Sequence, residues 1–196
     1  MRDAVLERWL EEAVATPGMT GLDDPGEARR VLLEDALRAG PLLSRAQGPV
    51  IDVGSGSGSP GIPLAVSCPD RQFTLLEAER RKATFLERVT AALPNVRVLW
   101  GRAEEQPLEL YGVALAKALA QPPVAAELCL PLVAAGGIAV LWVGGTADRR
   151  RVAAAARRLS AHLEHEEDGL LVLRKVGPTP PGFPRRPGMA KKRPLA

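Results

Sequence analysis

The sequence predicts an α/β fold in which a mostly parallel β-sheet is covered by helices on both faces. The chain has 196 residues, of which 46% are hydrophobic and 25% are charged, as in ordinary globular domains. From residue 49 onward, short apolar runs alternate with segments whose apolar residues recur at helical spacing. A glycine-rich turn follows the first apolar run. We expect a helical extension over 1–48, one α/β domain over 49–176 and a basic, proline-rich tail over 177–196.

The residue pattern of the N-terminal extension predicts two helices. The first covers 2–15 and carries one apolar stripe, made of Val5, Trp9, Leu10 and Ala13. Asp24 and Pro25 are typical of the N-cap and the first position of a second helix, and Gly40 is expected to end that helix.

The α/β domain predicts six strands separated by helices. The strands are expected over 50–53, 73–76, 96–100, 113–115, 138–143 and 170–173. Helices are expected near 60–66, 79–92, 123–133 and 147–162. Because the tail holds many prolines, it should be extended or rich in turns.

Charge and cysteine content indicate the cellular compartment and the kinds of partner to expect. The net charge is +3, but the tail has several arginines and lysines and no acid after residue 176, so the basic character lies there. Cys68 and Cys129 are too few for a disulfide framework or a zinc site. No apolar run is long enough to span a bilayer, and the first residues do not resemble a signal peptide. We therefore expect a cytoplasmic protein without membrane contact.

The glycine-rich turn, Asp52-Val53-Gly54-Ser55-Gly56-Ser57-Gly58, indicates a ligand-binding loop. In a doubly wound sheet this loop lies at the ligand edge. It fits a dinucleotide pattern poorly, since the sixth position counted from Gly54 is Ser59 where Gly or Ala is required. The sequence also lacks a P-loop. A turn that merely connects two elements is the plain alternative.

A cationic ligand fits the turn better. S-adenosylmethionine carries an ammonium and a sulfonium but no phosphate, and the carboxylate of Asp52 suits such a ligand, directly or through water. Glu77, at the end of the second strand, is placed to accept from ribose hydroxyls, although dinucleotide folds use such an acid too. The sequence shows no Ser-His-Asp or Cys-His arrangement. His162 and His165 are predicted to be surface residues, so we expect no metal site.

Several segments together resemble one family. These are "DVGSGSGSPGIPLA", "FTLLEAERRKATFLERV", "GRAEE", "ELCLPLVAAGG" and "TPPGFPRRPGMAKKRPL". In this order they are similar to RsmG (GidB), bacterial class I methyltransferases that methylate N7 of a guanine in 16S ribosomal RNA with S-adenosylmethionine. The resemblance implies a Rossmann-like sheet and a protein that acts on 16S ribosomal RNA or the small ribosomal subunit. We also expect the last strand to be antiparallel and the protein to be a monomer.

The resemblance also implies site residues. Gly54 and Ser59 would line the cofactor, together with Asp52, Gly56 and Glu77 of the turn and second strand. Ala103 and Glu104 would flank the adenine, and Lys117 would lie beside the cofactor and position the target. This chain departs from the family in having Ser59 in place of Phe or Leu, which removes an apolar wall, and Lys117 in place of Arg.

The tail is predicted to bind RNA. Its cations would contact phosphates and add affinity that weakens with salt: Arg185, Arg186, Lys191, Lys192 and Arg193. A solubilising terminus is the alternative. For the whole chain, the alternatives to a 16S guanine-N7 methyltransferase are a divergent relative acting on another RNA or a small molecule, a non-catalytic RNA- or ribosome-binding protein, and a nicotinamide-dependent oxidoreductase.

Overall fold

A seven-stranded mixed sheet forms the centre of the molecule. The computed structural model describes residues 2–196, apart from the side chain of Arg2. The strands are β1 (Val50–Val53), β2 (Phe73–Glu77), β3 (Val96–Trp100), β4 (Tyr111–Ala116), β5 (Val133–Trp142), β6 (Ala161–Glu167) and β7 (Leu170–Lys175). Their order in the sheet is β3-β2-β1-β4-β5-β7-β6. The first five strands pair in parallel, and β7 runs antiparallel to both β5 and β6. This confirms the predicted sheet and its antiparallel last strand.

Helices precede the sheet, alternate with its strands and end the chain. They are α1 (Arg2–Ala15), α2 (Pro25–Ala28), α3 (Asp35–Leu37), α4 (Gly40–Arg45), α5 (Gly61–Ser67), α6 (Arg80–Val89), α7 (Pro122–Cys129), α8 (Arg149–Arg157) and α9 (Met189–Lys192). A π-helical turn, Arg29–Glu34, joins α2 to α3, and short 3₁₀ turns cover Ala103–Glu105 and Leu130–Leu132. Asp24 caps α2 as predicted, since its carboxylate accepts from the backbone N–H of Glu27 at 2.7 Å.

The core has one layer on each face of the sheet, because alternate strand residues point to opposite sides. Ile51, Val53, Ala114 and Leu141 pack on one side in the cluster that also holds α7, α8 and α9. On the other side, strand residues pack with α4 and α5, and a neighbouring cluster adds α1 and α6. Loops at the carboxyl ends of the parallel strands are left to form a site.

Three predicted elements differ from the structure. Gly40 does not end a helix but begins α4, because Pro41 occupies an early position that favours a new helix start. Strand β5 begins at Val133 rather than 138, and Gly136, with φ +85°, lies inside it. A register shift on the facing strand, between Tyr111 and Val113, accommodates this irregular strand.

The third difference is β6, which the sequence assigned in part to a helix over 147–162. Helix α8 ends at Arg157, and Ser160 takes a left-handed φ of +55° that turns the chain into the strand. Strand β6 lies at the sheet edge and exposes most of its side chains. The many charged residues of β6 suit an edge strand, because they discourage pairing with another chain.

Across the described residues, no helix has both the length and the apolar character needed to cross a membrane. The same part of the chain holds no group of three or more His, Cys, Asp or Glu side chains placed to bind a metal ion.

Candidate functional site

The glycine-rich loop joins β1 to α5 through left-handed backbone. Gly54, Gly56 and Gly58 have φ values of +73°, +57° and +108°, which favour glycine. A Cβ at Gly54 would lie 2.4 Å from Leu119 Cδ1, and one at Gly58 would lie 2.3 Å from Ile62 Cδ1. A Cβ at Gly56 would meet no atom closer than 3.9 Å. Gly54 and Gly58 are therefore needed for packing, whereas Gly56 borders open space.

That open space is a cavity of about 490 Å³ at the carboxyl ends of β1 to β4. Its volume is within the range of small-molecule sites. The structure brings seven of the eight predicted cofactor residues to its wall: Gly54, Gly56, Ser59, Glu77, Ala103, Glu104 and Lys117. Asp52, the eighth, does not line it.

Several backbone donors of the loop and of the start of α5 are already occupied. The N–H of Gly56 donates to Glu77 Oε2 at 2.8 Å, and that of Gly61, the first residue of α5, donates to Asp52 Oδ2 at 3.1 Å. The N–H groups of Gly54 and Ser55 both donate to the carbonyl of Leu76. A pyrophosphate in this cavity would thus meet the carboxylate of Glu77 where a dinucleotide fold offers a free amide. The charge at this loop suits a cation.

Asp52 acts from beneath the loop. Its side chain is 1% exposed, and Oδ1 has no hydrogen-bond partner within the described residues. Burial raises the pKa of Asp52 to about 7, although the nearby hydroxyl of Ser55, which donates to the backbone carbonyl of Asp52, and the N–H of Gly61 oppose the shift. In the structure Asp52 therefore holds the start of α5, and its predicted contact with a ligand stays a prediction.

Glu77 is fixed at the cavity wall. Its Oε1 accepts from the N–H of Glu79 and its Oε2 from that of Gly56, both at 2.8 Å, and its side chain is nearly buried. These bonds hold a carboxylate at the end of β2, where it retains acceptor capacity for hydroxyl groups of a ligand.

Lys117, just after β4, contacts the N-terminal extension. Its Nζ lies 2.9 Å from Asp35 Oδ2 and 3.4 Å from Ser59 Oγ, and it donates to the carbonyl of Val31. Ser59 in turn donates to the carbonyl of Leu32 at 2.7 Å. Lys117 thus acts as a clasp, in the sense that it connects the end of β4 to Val31 and Asp35 of the N-terminal extension at the cavity wall. Its role in positioning a target stays a prediction.

The N-terminal extension supplies an apolar wall that the sequence did not predict. Met19, Val31 and Leu32 line the cavity. Trp9 Nε1 donates to the carbonyl of Ser57 at 2.7 Å and so ties α1 to the glycine loop. These contacts replace the apolar residue expected at Ser59. Nothing in their spacing could have shown this, because they depend on tertiary packing.

The tail closes the opposite side. Glu104, in the 3₁₀ turn after β3, accepts from the N–H of Gly188 at 2.9 Å. Gly188, Ala190 and Lys191 line the cavity, and Ala190 is buried. The tail is turn-rich as predicted, with one short helix, but it packs on the domain and contributes to the site.

The five predicted RNA-binding cations of the tail have different surroundings. Arg185 forms two bonds of 2.6 Å to the carboxylate of Glu127, which is 3% exposed, so it is a structural residue. The side chains of the other four have no ion pair or hydrogen bond within the described part of the chain, and all four are exposed: Arg186, Lys191, Lys192 and Arg193.

Comparison with known proteins identifies the family and the fold. The family model for GidB, described as rRNA small subunit methyltransferase G, matches residues 6–168, most of the chain. The chain belongs to this RsmG (GidB) family. The predictions of the family and of a methyltransferase are confirmed.

Individual relatives agree. A protein of Synechococcus sp. (strain JA-2-3B'a(2-13)) is 36% identical over 92% of this chain and 79% of its own length. One from Rubrobacter xylanophilus is 37% identical over 86% of this chain and 75% of its own. Both are named ribosomal RNA small subunit methyltransferase G.

Solved structures support the fold alone. An S-adenosylmethionine-dependent O-methyltransferase from Thermotoga maritima superposes with a TM-score of 0.60 at 14% identity, covering 81% of this chain and 72% of that one. An S-adenosylmethionine-dependent methyltransferase structure from Methanococcus maripaludis gives 0.55 at 14% identity, covering 77% and 90%. The α/β class I methyltransferase fold is therefore confirmed.

Proposed function

We propose that this RsmG-family chain transfers the methyl group of S-adenosylmethionine to N7 of a guanine in 16S ribosomal RNA. The observation that carries the proposal is the cavity beside the glycine loop, where the carboxylate of Glu77 occupies the N–H of Gly56, an amide that a pyrophosphate would need. Family membership supports the same cofactor and an RNA substrate. The occupied amide argues against the nicotinamide alternative.

Methyl transfer to N7 depends on the alignment of the reacting atoms and not on proton transfer. N7 of guanine attacks the methyl carbon with its in-plane lone pair, the carbon–sulfur bond breaks, and its electron pair stays on sulfur. N7 carries no proton, so the step requires neither a general base nor a metal. Holding the reacting atoms in line supplies much of the rate enhancement in such reactions.

The chain's own residues divide the work of binding. Glu77 would accept hydrogen bonds from the ribose, and Gly56 leaves room for the ligand against the backbone, while Gly54 lets the loop pack on Leu119. Ala103 and Glu104 lie at the adenine end, and Met19 with Val31 covers the apolar part. Asp52 holds the start of α5 and, where it is ionised above about pH 7, adds negative charge below the loop, while Ser59 and Lys117 fix the wall.

The RNA side of the proposal depends on the exposed cations of the tail. Arg186, Lys191, Lys192 and Arg193 are exposed and, within the described residues, their side chains are free to contact phosphates; of the four, Lys191 lines the cavity. The major groove of an RNA duplex is too narrow for N7 to be reached, so the target guanine should be unpaired. One copy of the chain holds the whole cavity, which suits a monomer acting where ribosomes are assembled, in the cytoplasm.

The experiment is methyl transfer to small ribosomal subunits that lack the modification. Labelled S-adenosylmethionine should place one methyl group in the 16S RNA, recovered as N7-methylguanosine after digestion. Label in another nucleoside would instead support a divergent relative. No label, although the protein binds S-adenosylhomocysteine, would indicate a non-catalytic binder.

A further inference from the structure

A second cavity adjoins the first. It encloses about 670 Å³ at the carboxyl ends of β4 and β5, next to the start of α7 and the N-cap of α8. Its wall and that of the first cavity share two residues, Ala118 and Lys191. Ala118 has a left-handed φ of +53°, and its small side chain leaves the two spaces adjacent. A ligand in one cavity is therefore beside a ligand in the other.

The second cavity has the lining expected for a nucleobase. Pro122, Pro123 and Trp142 provide apolar surface, while Gln121 and Asp148 provide polar groups. Planar bases extruded from RNA bind between apolar surfaces and use polar groups at their edges. Neither the glycine loop nor Glu77 reaches this space, so it is separate from the cofactor site.

Lys191 lies at the boundary with its ammonium available. It is exposed, and within the described residues its Nζ has no ion pair or hydrogen bond. Its position is fixed by its neighbours, because Ala190 is buried in the core and Gly188 is bonded to Glu104. Lys192, the next residue, has the same charge and exposure but lines neither cavity.

We propose that the second cavity receives the target guanine and that Lys191 determines its specificity by donating a hydrogen bond to O6. This inference rests on the proposed function. Guanine presents O6 and N7 as neighbouring acceptors on one edge. A bond from Lys191 to O6 holds that edge at the boundary and leaves the N7 lone pair directed at the first cavity. Adenine presents an amino donor in place of O6, so the same ammonium rejects it.

The test compares Lys191→Met with Lys192→Met, which remove the same charge from adjacent residues. The rate of methyl transfer to unmodified small ribosomal subunits is measured at saturating and at limiting subunit concentrations. The affinity for S-adenosylhomocysteine is measured separately by calorimetry. A single hydrogen bond from a charged donor is worth about 10- to 100-fold. We expect Lys191→Met to lower kcat by about that factor with cofactor affinity unchanged. Lys192→Met should alter kcat by less than about twofold and raise KM a few-fold, as for a phosphate contact.

One further variant and the wild-type control distinguish a role of Lys191 in substrate recognition from a structural role. Lys191→Arg keeps a donor and should restore most of kcat, which a purely structural role would not explain. If the wild type is active and the two Met variants behave alike, or if Lys191→Met mainly weakens cofactor binding, the inference is overturned while the proposed function stands. A wild type that binds cofactor but methylates no guanine overturns the proposed function and this inference with it.

Discussion

Gly56 is the residue whose missing side chain most directly makes room for a ligand. A Cβ there would project into open space in the cavity, and φ is +57°. We expect Gly56→Val to abolish measurable binding of S-adenosylhomocysteine in calorimetry, because a branched side chain fills the ligand volume. The left-handed backbone should also cost about 1–2 kcal/mol of stability.

Gly136→Val is a control that separates the effect of backbone strain from the effect of filling the ligand cavity. Gly136 also has a positive φ, +85°, and open space around it, but it lies outside the cavity. This variant should lose similar stability and keep its affinity. Unchanged affinity in Gly56→Val would show that the loop only connects β1 to α5.

Asp52 should make the stability of the protein depend on pH. Its pKa is about 7 in the folded state against 3.8 ordinarily, so between these values the folded state binds the extra proton. The free energy of unfolding should therefore fall as pH rises from about 4 to 7, by a few kcal/mol, and then level. Asp52→Asn should remove this slope in urea titrations. Asp70→Asn, an exposed control, should keep it, and a slope that persists in Asp52→Asn would contradict the assignment.

The N-terminal segment from α2 to α3 is held on the cavity by Lys117. The side chain of Lys117 is 12% exposed and pairs with Asp35. Lys117→Met should speed amide hydrogen exchange in residues 25–37, lower stability by about 1–2 kcal/mol and weaken cofactor binding. Arg149→Met, which breaks the exposed pair with Glu166, serves as control. Equal exchange in the two variants would exclude the clasp.

The tail combines anchoring and RNA-binding roles in neighbouring residues. Arg185→Met leaves the buried carboxylate of Glu127 unpaired and should cost about 3–5 kcal/mol. Arg186→Met removes the same charge from an exposed side chain and should change stability by less than about 0.5 kcal/mol. In filter binding to 16S RNA, Arg186→Met should also reduce the salt slope by about 1. Equal stability of the two variants would contradict this division.

Elements that carry strong local signals could be predicted from the sequence. Strand β3 matches the expected range 96–100, and Asp24 caps its helix, because apolar runs and capping side chains act locally. Strand β6 was missed although the sequence holds a local signal for it, because Asp168 and Gly169, with φ values of +49° and +73°, form the two-residue turn of a β6–β7 hairpin. Local composition favoured a helix there.

At the scale of the molecule, the position of the site followed from topology, but its walls did not. The glycine loop and Glu77 meet because β1 and β2 are parallel neighbours. Met19, Val31 and Lys191 come from the two ends of the chain, and only folding brings them to one cavity. The extension and the tail, which the sequence presents as appendages, therefore help to form the site. Their separation as domains stays a prediction.

The cavity beside the glycine loop is expected to accept a positively charged methyl donor and not a pyrophosphate. Calorimetric titration of the full chain with S-adenosylmethionine and, separately, with NADH tests it directly. We expect saturable one-to-one binding of S-adenosylmethionine and no binding of NADH at the same concentrations. Binding of NADH with comparable affinity, or no binding of S-adenosylmethionine, would contradict the account.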